Sequence, residues 1–260
     1  MRKSILSFIK IHIMKTIIRI AFLYLVVQLN FALGIAQENN IQSKLWASLG
    51  GADNWQDTKF LLFSCSGNDN SNVLNSDVER SLLWNRETGE CRFEAQSKKN
   101  EQLVYLFNFT TNKPLKLFIN AVEVATIDPA LQQDIRHQIN EDLYLLLLPT
   151  IGDLKGISFS DTKVKLLNNE KQLSTIVAYD GDFYGSPING TILINANSGE
   201  INAFENSIKS IDYQIDQYKD AGSGLRLPTS FNAVNNKKKS CTFTTVSTFE
   251  HVESSKFTDL

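Results

Sequence analysis

"NEDLYLLLLPTIGD", Asn140 to Asp153, carries the densest apolar run after the first forty residues: Leu143 through Leu148, closed by Pro149. The run is too short to cross a bilayer, which takes about 20 residues. Nor does it alternate apolar with polar, as a strand wetted on one face does. It is expected to have core on one side and, on the other, a greasy cavity or the helical lid of one.

Just upstream, Asp128 is placed to cap a helix and Pro129 to take its first turn. Leu131, Ile135 and Ile139 lie four apart on one face, while Gln132, Gln133, Arg136 and His137 decorate the others. A mid-chain helix is therefore expected, after which Leu143–Leu148 extends into a sheet.

Everything around this unit reads as β. Expected strands before it are Phe60–Cys65, Arg80–Arg86, Cys91–Glu94, Gln102–Thr110 and Leu115–Asn120. Glu87-Thr88-Gly89-Glu90 makes a tight hairpin, and Ser66–Asp77 is a solvated loop. After it come Gly156–Ser160, Lys163–Leu167, Leu173–Tyr179, Thr191–Asn195, Ile201–Glu205, Tyr213–Tyr218, Leu225–Phe231 and Cys241–Phe249. Turns are expected at Asn189-Gly190 and Asn197-Ser198-Gly199-Glu200. Over 211–218, Ile211, Tyr213, Ile215 and Gln217 share one face, with Asp212, Gln214 and Asp216 opposite. A short helix precedes the strands: Asn39 and Asn40 open it, Ile41, Leu45, Trp46 and Leu49 keep helical spacing, and Gly50-Gly51 ends it.

About a dozen strands in one sheet must curl, split or close. A sandwich and a half-barrel both accommodate them. The mid-chain amphipathic helix favours the second, because it needs a concave apolar surface to lie on. The expected fold is mainly β with a few helices, a curved antiparallel sheet forming an incomplete barrel around that helix.

The first forty residues point to export. Arg2, Lys3, Lys10, Lys15 and Arg19 precede an apolar stretch from Ile20 to Leu33, and Gly34-Ile35-Ala36 offers a small-residue cut before Gln37. Residues 1–36 are expected to be a secretory signal and 37–260 a single domain, periplasmic or otherwise exported and soluble after cleavage. An uncleaved anchor is the alternative, disfavoured by Gln28 and Asn30 inside the run. Cleavage would take 26 basic residues to 21 against 28 acidic ones, a net charge of −7. Such a chain argues against nucleic acid or an anionic membrane as its main partner.

Cys65, Cys91 and Cys241 are the only cysteines. Export would allow one bridge and leave one odd thiol; Cys65–Cys91 is the candidate pair, with free buried thiols as the alternative. No metal or cofactor motif is present. His137 and His251 lack ligand spacing, Gly222-Ser223-Gly224 is no nucleophile elbow, and Asn68–Asn72 and Asp180–Asp182 lack the order of a calcium loop. No catalytic signature is found, so the chain is not expected to be an enzyme.

Three stretches resemble a known family: Leu49-Gly50-Gly51-Ala52-Asp53-Asn54-Trp55, the hairpin Leu83-Trp84-Asn85-Arg86-Glu87-Thr88-Gly89, and the segment Asn140–Pro149. They are similar to exported proteins of Gram-negative bacteria that look like the LolA carriers of outer-membrane lipoproteins. In those relatives the third segment reads Asn-Asp-x-Tyr-Trp-Leu-x-x-Pro. Here Asn140, Asp142, Tyr144, Leu146 and Pro149 approximate it, with Glu141 inserted and Leu145 in place of the tryptophan. The resemblance spans residues 41–260. It implies an incomplete antiparallel barrel around helices, with an apolar cavity for acyl chains or another hydrophobic small molecule.

From alternation, the expected cavity lining is Phe60, Leu62, Trp84, Phe107, Leu131, Ile135, Leu145 and Leu147, with Arg80 and Arg86 on the rim. The competing reading of Arg80, Trp84 and Arg86 is cross-strand packing, with an arginine stem laid over the tryptophan. The expected function is a carrier or binding protein for a hydrophobic ligand. The alternative is a non-enzymatic interaction module with a filled barrel and active surface loops.

Overall fold

The computed structural model describes Tyr24, residues 41–167 and residues 169–260. The expected signal segment 1–36 and its cut site lie, Tyr24 apart, outside the described residues. Ile41–Leu260 form one folded unit. No described helix is long and apolar enough to cross a membrane.

Within that unit, α1 covers residues 41–49 and α2 Ala52–Asp57. Six strands follow: β1 (Phe60–Gly67), β2 (Arg80–Asn85), β3 (Glu90–Gln96), β4 (Gln102–Asn108), β5 (Lys113–Ile119) and β6 (Val122–Glu123). Next comes α3, Pro129–Leu146, running into a 3₁₀ segment at Leu148–Asp153. Seven more strands complete the chain: β7 (Ser158–Leu167), β8 (Glu170–Phe183), β9 (Ser186–Asn195), β10 (Ile201–Asn206), β11 (Ile211–Gly222), β12 (Leu225–Ala233) and β13 (Cys241–Phe249).

The 13 strands among the described residues form one open sheet, ordered β6-β5-β4-β3-β2-β1-β13-β12-β11-β10-β9-β8-β7. Two antiparallel meanders run outward and back, and they are sewn together where β13 pairs with β1. Helix α3 carries the chain from one edge strand to the other. Laid flat, 13 strands would span about 58 Å, whereas an 18-residue helix is about 27 Å long. The contacts along α3 agree with that limit. Arg136 lies over Phe107 of β4, and Tyr144, eight residues on, meets Phe204 of β10. Those strands are seven places apart in the sheet, so the sheet bends around α3.

The bend explains what happens to the Leu143–Leu148 run. It is not a strand: α3 continues through Leu146 and the 3₁₀ segment takes up Leu148. The first turns of α3 are amphipathic, with the Asp128 carboxylate accepting from Ala130 N at 2.9 Å. From Glu141 to Leu146 every residue is buried. A helix enclosed by sheet on several sides needs apolar residues all round, and six in succession supply them.

Strand alternation fixes which side of the sheet faces α3. Phe63, Leu82, Phe93, Tyr105 and Leu117 stand opposite one another on five consecutive strands, and all are fully buried. Phe60 and Leu62 have the other parity. Phe60 stacks on Phe257 of the C-terminal tail at 6.2 Å, while Leu62 is in register with Leu83 on the outer face. The tail is strapped there by Arg92, donating to the Asp259 carbonyl at 2.5 Å, and by Lys116, donating to the Thr258 carbonyl at 2.9 Å. Both positions are therefore corrected: they belong to the tail-covered face and line no cavity beside α3.

Several local readings agree with the structure. Gly50, at φ +90°, ends α1 with the paired bonds of a left-handed cap, Gly51 N to Trp46 O at 2.8 Å and Gly50 N to Ala47 O at 3.2 Å. A Cβ on Gly50 would sit 2.0 Å from the Gly224 carbonyl, so no other residue fits.

Others are revised. Gly156–Ser160 and Lys163–Leu167 are not two strands; the second half of the first and all of the second merge in β7, kinked between Ser160 and Lys163. Asn189-Gly190 lies inside β9, where Gly190 admits the Glu205 carbonyl. The turn is at Tyr184-Gly185, both with positive φ. Gln217 is exposed at φ +59°, so the alternation breaks and Tyr218 packs against the core instead. The Ser66–Asp77 segment is not a free loop either. Asn68 and Ser71 are buried, held by α3 through Asp142, Gln138 and Asp134.

Candidate functional site: an aromatic pocket with two arginines

Four elements converge near the first half of α3. Trp84 ends the inward row of β2, and Arg86 follows it past the strand end. The Arg86 guanidinium lies 3.7 Å from the Trp55 ring centroid of α2 and donates to the carbonyls of Trp55 and Thr58. Phe109, just beyond β4, packs on Trp84 at 5.2 Å. From the far side, the β8–β9 turn brings Tyr184 to within 6.2 Å of Phe109. Tyr184 sits at φ +49° because the two-residue hairpin turn needs positive φ at both of its positions.

Between these rings is a cavity of about 680 Å³, a size suited to a small-molecule ligand. Arg136 of α3 enters it, its guanidinium 4.5 Å from the Phe107 ring and 4.9 Å from Phe109. Asn140, one turn further along α3, lines it as well. Asp153 and Asp182 stand exposed at its edge.

The polar groups here are underused. Among the described residues, Trp84 Nε1, Arg136 Nη1 and Asn140 Oδ1 are buried without a hydrogen-bond partner, and all three residues line this cavity. Buried polar atoms are normally satisfied, so three orphans in one place call for an explanation. Burial pushes the pKa of Arg136 down, and the phenol of Tyr105 only partly opposes it. Burial likewise lowers Arg86, with Tyr184 opposing. Neither guanidinium has a carboxylate partner among the described residues. The site thus presents half-buried positive charge and unmet polar atoms against aromatic walls, which is the chemistry of receiving an anionic group attached to an apolar body.

Arg80 is different, and its expected place on a rim is corrected. Its side chain is fully buried and grips Asp142 of α3 with two bonds, Nε at 2.7 Å and Nη2 at 2.6 Å. Burial works against its charge, yet Asp142 carries its pKa upward. Asn68 and Gln138 complete the carboxylate's shell.

Of the residues singled out from sequence, Trp84 and Arg86 reach the cavity. Phe107, Ile135, Leu145 and Leu147 are buried in the continuous core, and Leu131 packs half-buried against it; none of them borders this cavity. Arg136 and Tyr184 were missed, because helical spacing put Arg136 with the polar decoration and nothing local marks a tyrosine in a turn. No local signal in the sequence joins these residues. Trp55, Trp84 with Arg86, and Asn140, far apart in sequence, meet at this cavity.

No family model matches the chain, and none of the curated proteins matches its sequence.

Proposed function

We propose that this chain is a non-enzymatic binding protein, an exported carrier for an amphiphilic ligand. The ligand's anionic group lies between Arg86 and Arg136, and its apolar part rests on Trp84, Phe109 and Tyr184. The observation that carries this reading is the set of orphaned polar atoms around two arginines without carboxylate partners, in a cavity walled by rings. A sheet bent around one helix supports an incomplete barrel of the LolA type. The filled surroundings of Leu143–Leu148 argue against an acyl chain running along α3 and favour a ligand at the side of the helix. A lipid or a lipoprotein acyl group with an acidic neighbour fits this chemistry, and the acidic balance of the chain argues against nucleic acid.

The test is a titration followed by tryptophan fluorescence, since Trp55 and Trp84 line the site. Dodecyl phosphate is expected to saturate one site, and dodecanol to bind at least about 10-fold more weakly, the equivalent of roughly 1.4 kcal/mol for a charged contact. If neither ligand binds, the filled interaction module is the better account.

A further inference from the structure

We infer that Cys65 and Cys241 form a disulfide that staples β1 to β13, the seam where the two meanders join. The geometry at the seam carries this. Cys65 is in register with Phe243 and Gly67 with Cys241, so the two cysteines stand diagonally across one hydrogen-bonded strand pair. The register shifts between Ser64 and Cys65, and the two sulfurs come within 4.8 Å of each other. Both side chains are fully buried, and the structure holds them, like Cys91, as free thiols, the alternative the sequence left open. Diagonal neighbours on paired strands stand about 7–8 Å apart, at the limit a bridge tolerates, so closing the sulfurs to about 2.05 Å takes side-chain rotation and a local shift of the backbone beside the bulge.

The pairing expected from sequence, Cys65 with Cys91, is excluded. Cys91 lies two strands away and four residues along, about 16 Å from Cys65, against the roughly 7 Å that a bridge tolerates. Cys91 is the odd thiol, its Sγ contacting only the Gly89 carbonyl at 3.7 Å among the described hydrogen bonds.

A metal ion is the rival occupant, because an oxygen of Asp142 lies with the two sulfurs. That carboxylate is already committed. It accepts from Arg80 Nε and Nη2, from Asn68 Nδ2 at 2.9 Å and from Gln138 Nε2 at 3.0 Å. A cation would have to displace the guanidinium and then sit beside it. A disulfide is neutral, takes no donor from Asp142 and leaves the ion pair in place.

The step is thiol–disulfide exchange with a small-molecule or protein disulfide. One cysteine thiolate attacks the oxidant, releasing one of its sulfurs as a thiol and forming a mixed disulfide. The second cysteine displaces the other sulfur. The two cysteines lose two electrons and two protons in all, and the oxidant's S–S bond ends as two thiols. Because the thiols are sealed from water once β13 has seated, exchange belongs to folding, when β13 docks on β1.

The test is to refold the reduced, denatured protein in a buffer of oxidised and reduced glutathione, block free thiols under denaturing conditions, and map the peptides. One blocked thiol, Cys91, and a linked pair carrying Cys65 and Cys241 are expected. The Cys91→Ser variant should keep the link. Protein refolded without oxidant should melt about 10 °C below protein refolded with it, as absence of a cross-link closing so long a loop implies. Three blocked thiols after refolding in the glutathione buffer, a link that includes Cys91, equal Tm values for the two refolded forms, or a stoichiometric zinc ion shielding both thiols would each overturn the inference.

Discussion

Arg80 is fully buried against α3 and Arg136 projects half-buried from α3 itself, and among the described residues each leaves its Nη1 without a partner. Arg80 has a carboxylate; Arg136 has only aromatic faces. The first arrangement ties β2 to α3 and holds the helix in register with the seam. The second rests on ring faces, a weaker compensation than an ion pair, and leaves a donor unmet. A half-buried charge held by rings alone points to a partner outside the chain, and a paired one to architecture.

The largest effect should come from breaking the paired centre. Asp142→Ala leaves Arg80 charged and alone in the core, and should cost about 3–5 kcal/mol in denaturant unfolding. If that variant unfolds within 1 kcal/mol of the parent, by the about 0–1 kcal/mol standard of an exposed pair, the distinction between the two arginines fails.

Arg136→Leu sharpens the other side. Affinity for dodecyl phosphate should fall about 10-fold or more, while unfolding stability stays level or rises by up to about 1 kcal/mol, since a desolvated charge is removed. Loss of stability without loss of binding would make Arg136 structural.

The smallest effect is at Tyr105, whose hydroxyl is buried beside Arg136 without a partner. Burial raises its pKa from 10 to about 12, partly offset by Arg136. The folded state therefore holds this proton longer than the unfolded chain. The associated stability is present below pH 10 and is lost as pH rises through about 12. Tyr105→Phe should flatten that alkaline limb in pH-dependent melts and change stability near neutrality by less than about 1 kcal/mol.

Much of the β pattern was legible because it is written in neighbouring residues. Cys241–Phe249, the Asp128-Pro129 helix start and the Gly50 cap need only alternation, a capping side chain and a residue free to adopt positive φ. The Leu143–Leu148 run was not legible in the same way. Six apolar residues satisfy a buried strand and an enclosed helix equally, and the choice depended on whether sheet surrounded them. Phe60 and Leu62 failed for a related reason: a strand coated on both faces gives no sign of which face meets the helix and which the tail.

The amino-acid order alone determined a mainly β chain, its turns and caps, and a helix in the middle, since each follows from forces acting within a few residues. Tertiary structure decided that Arg80 would find Asp142, that Arg136 would find none, that Cys241 rather than Cys91 would lie beside Cys65, and that four stretches would enclose a cavity. Those outcomes depend on which distant segments a bent sheet brings together, and distance along the chain carries no record of that.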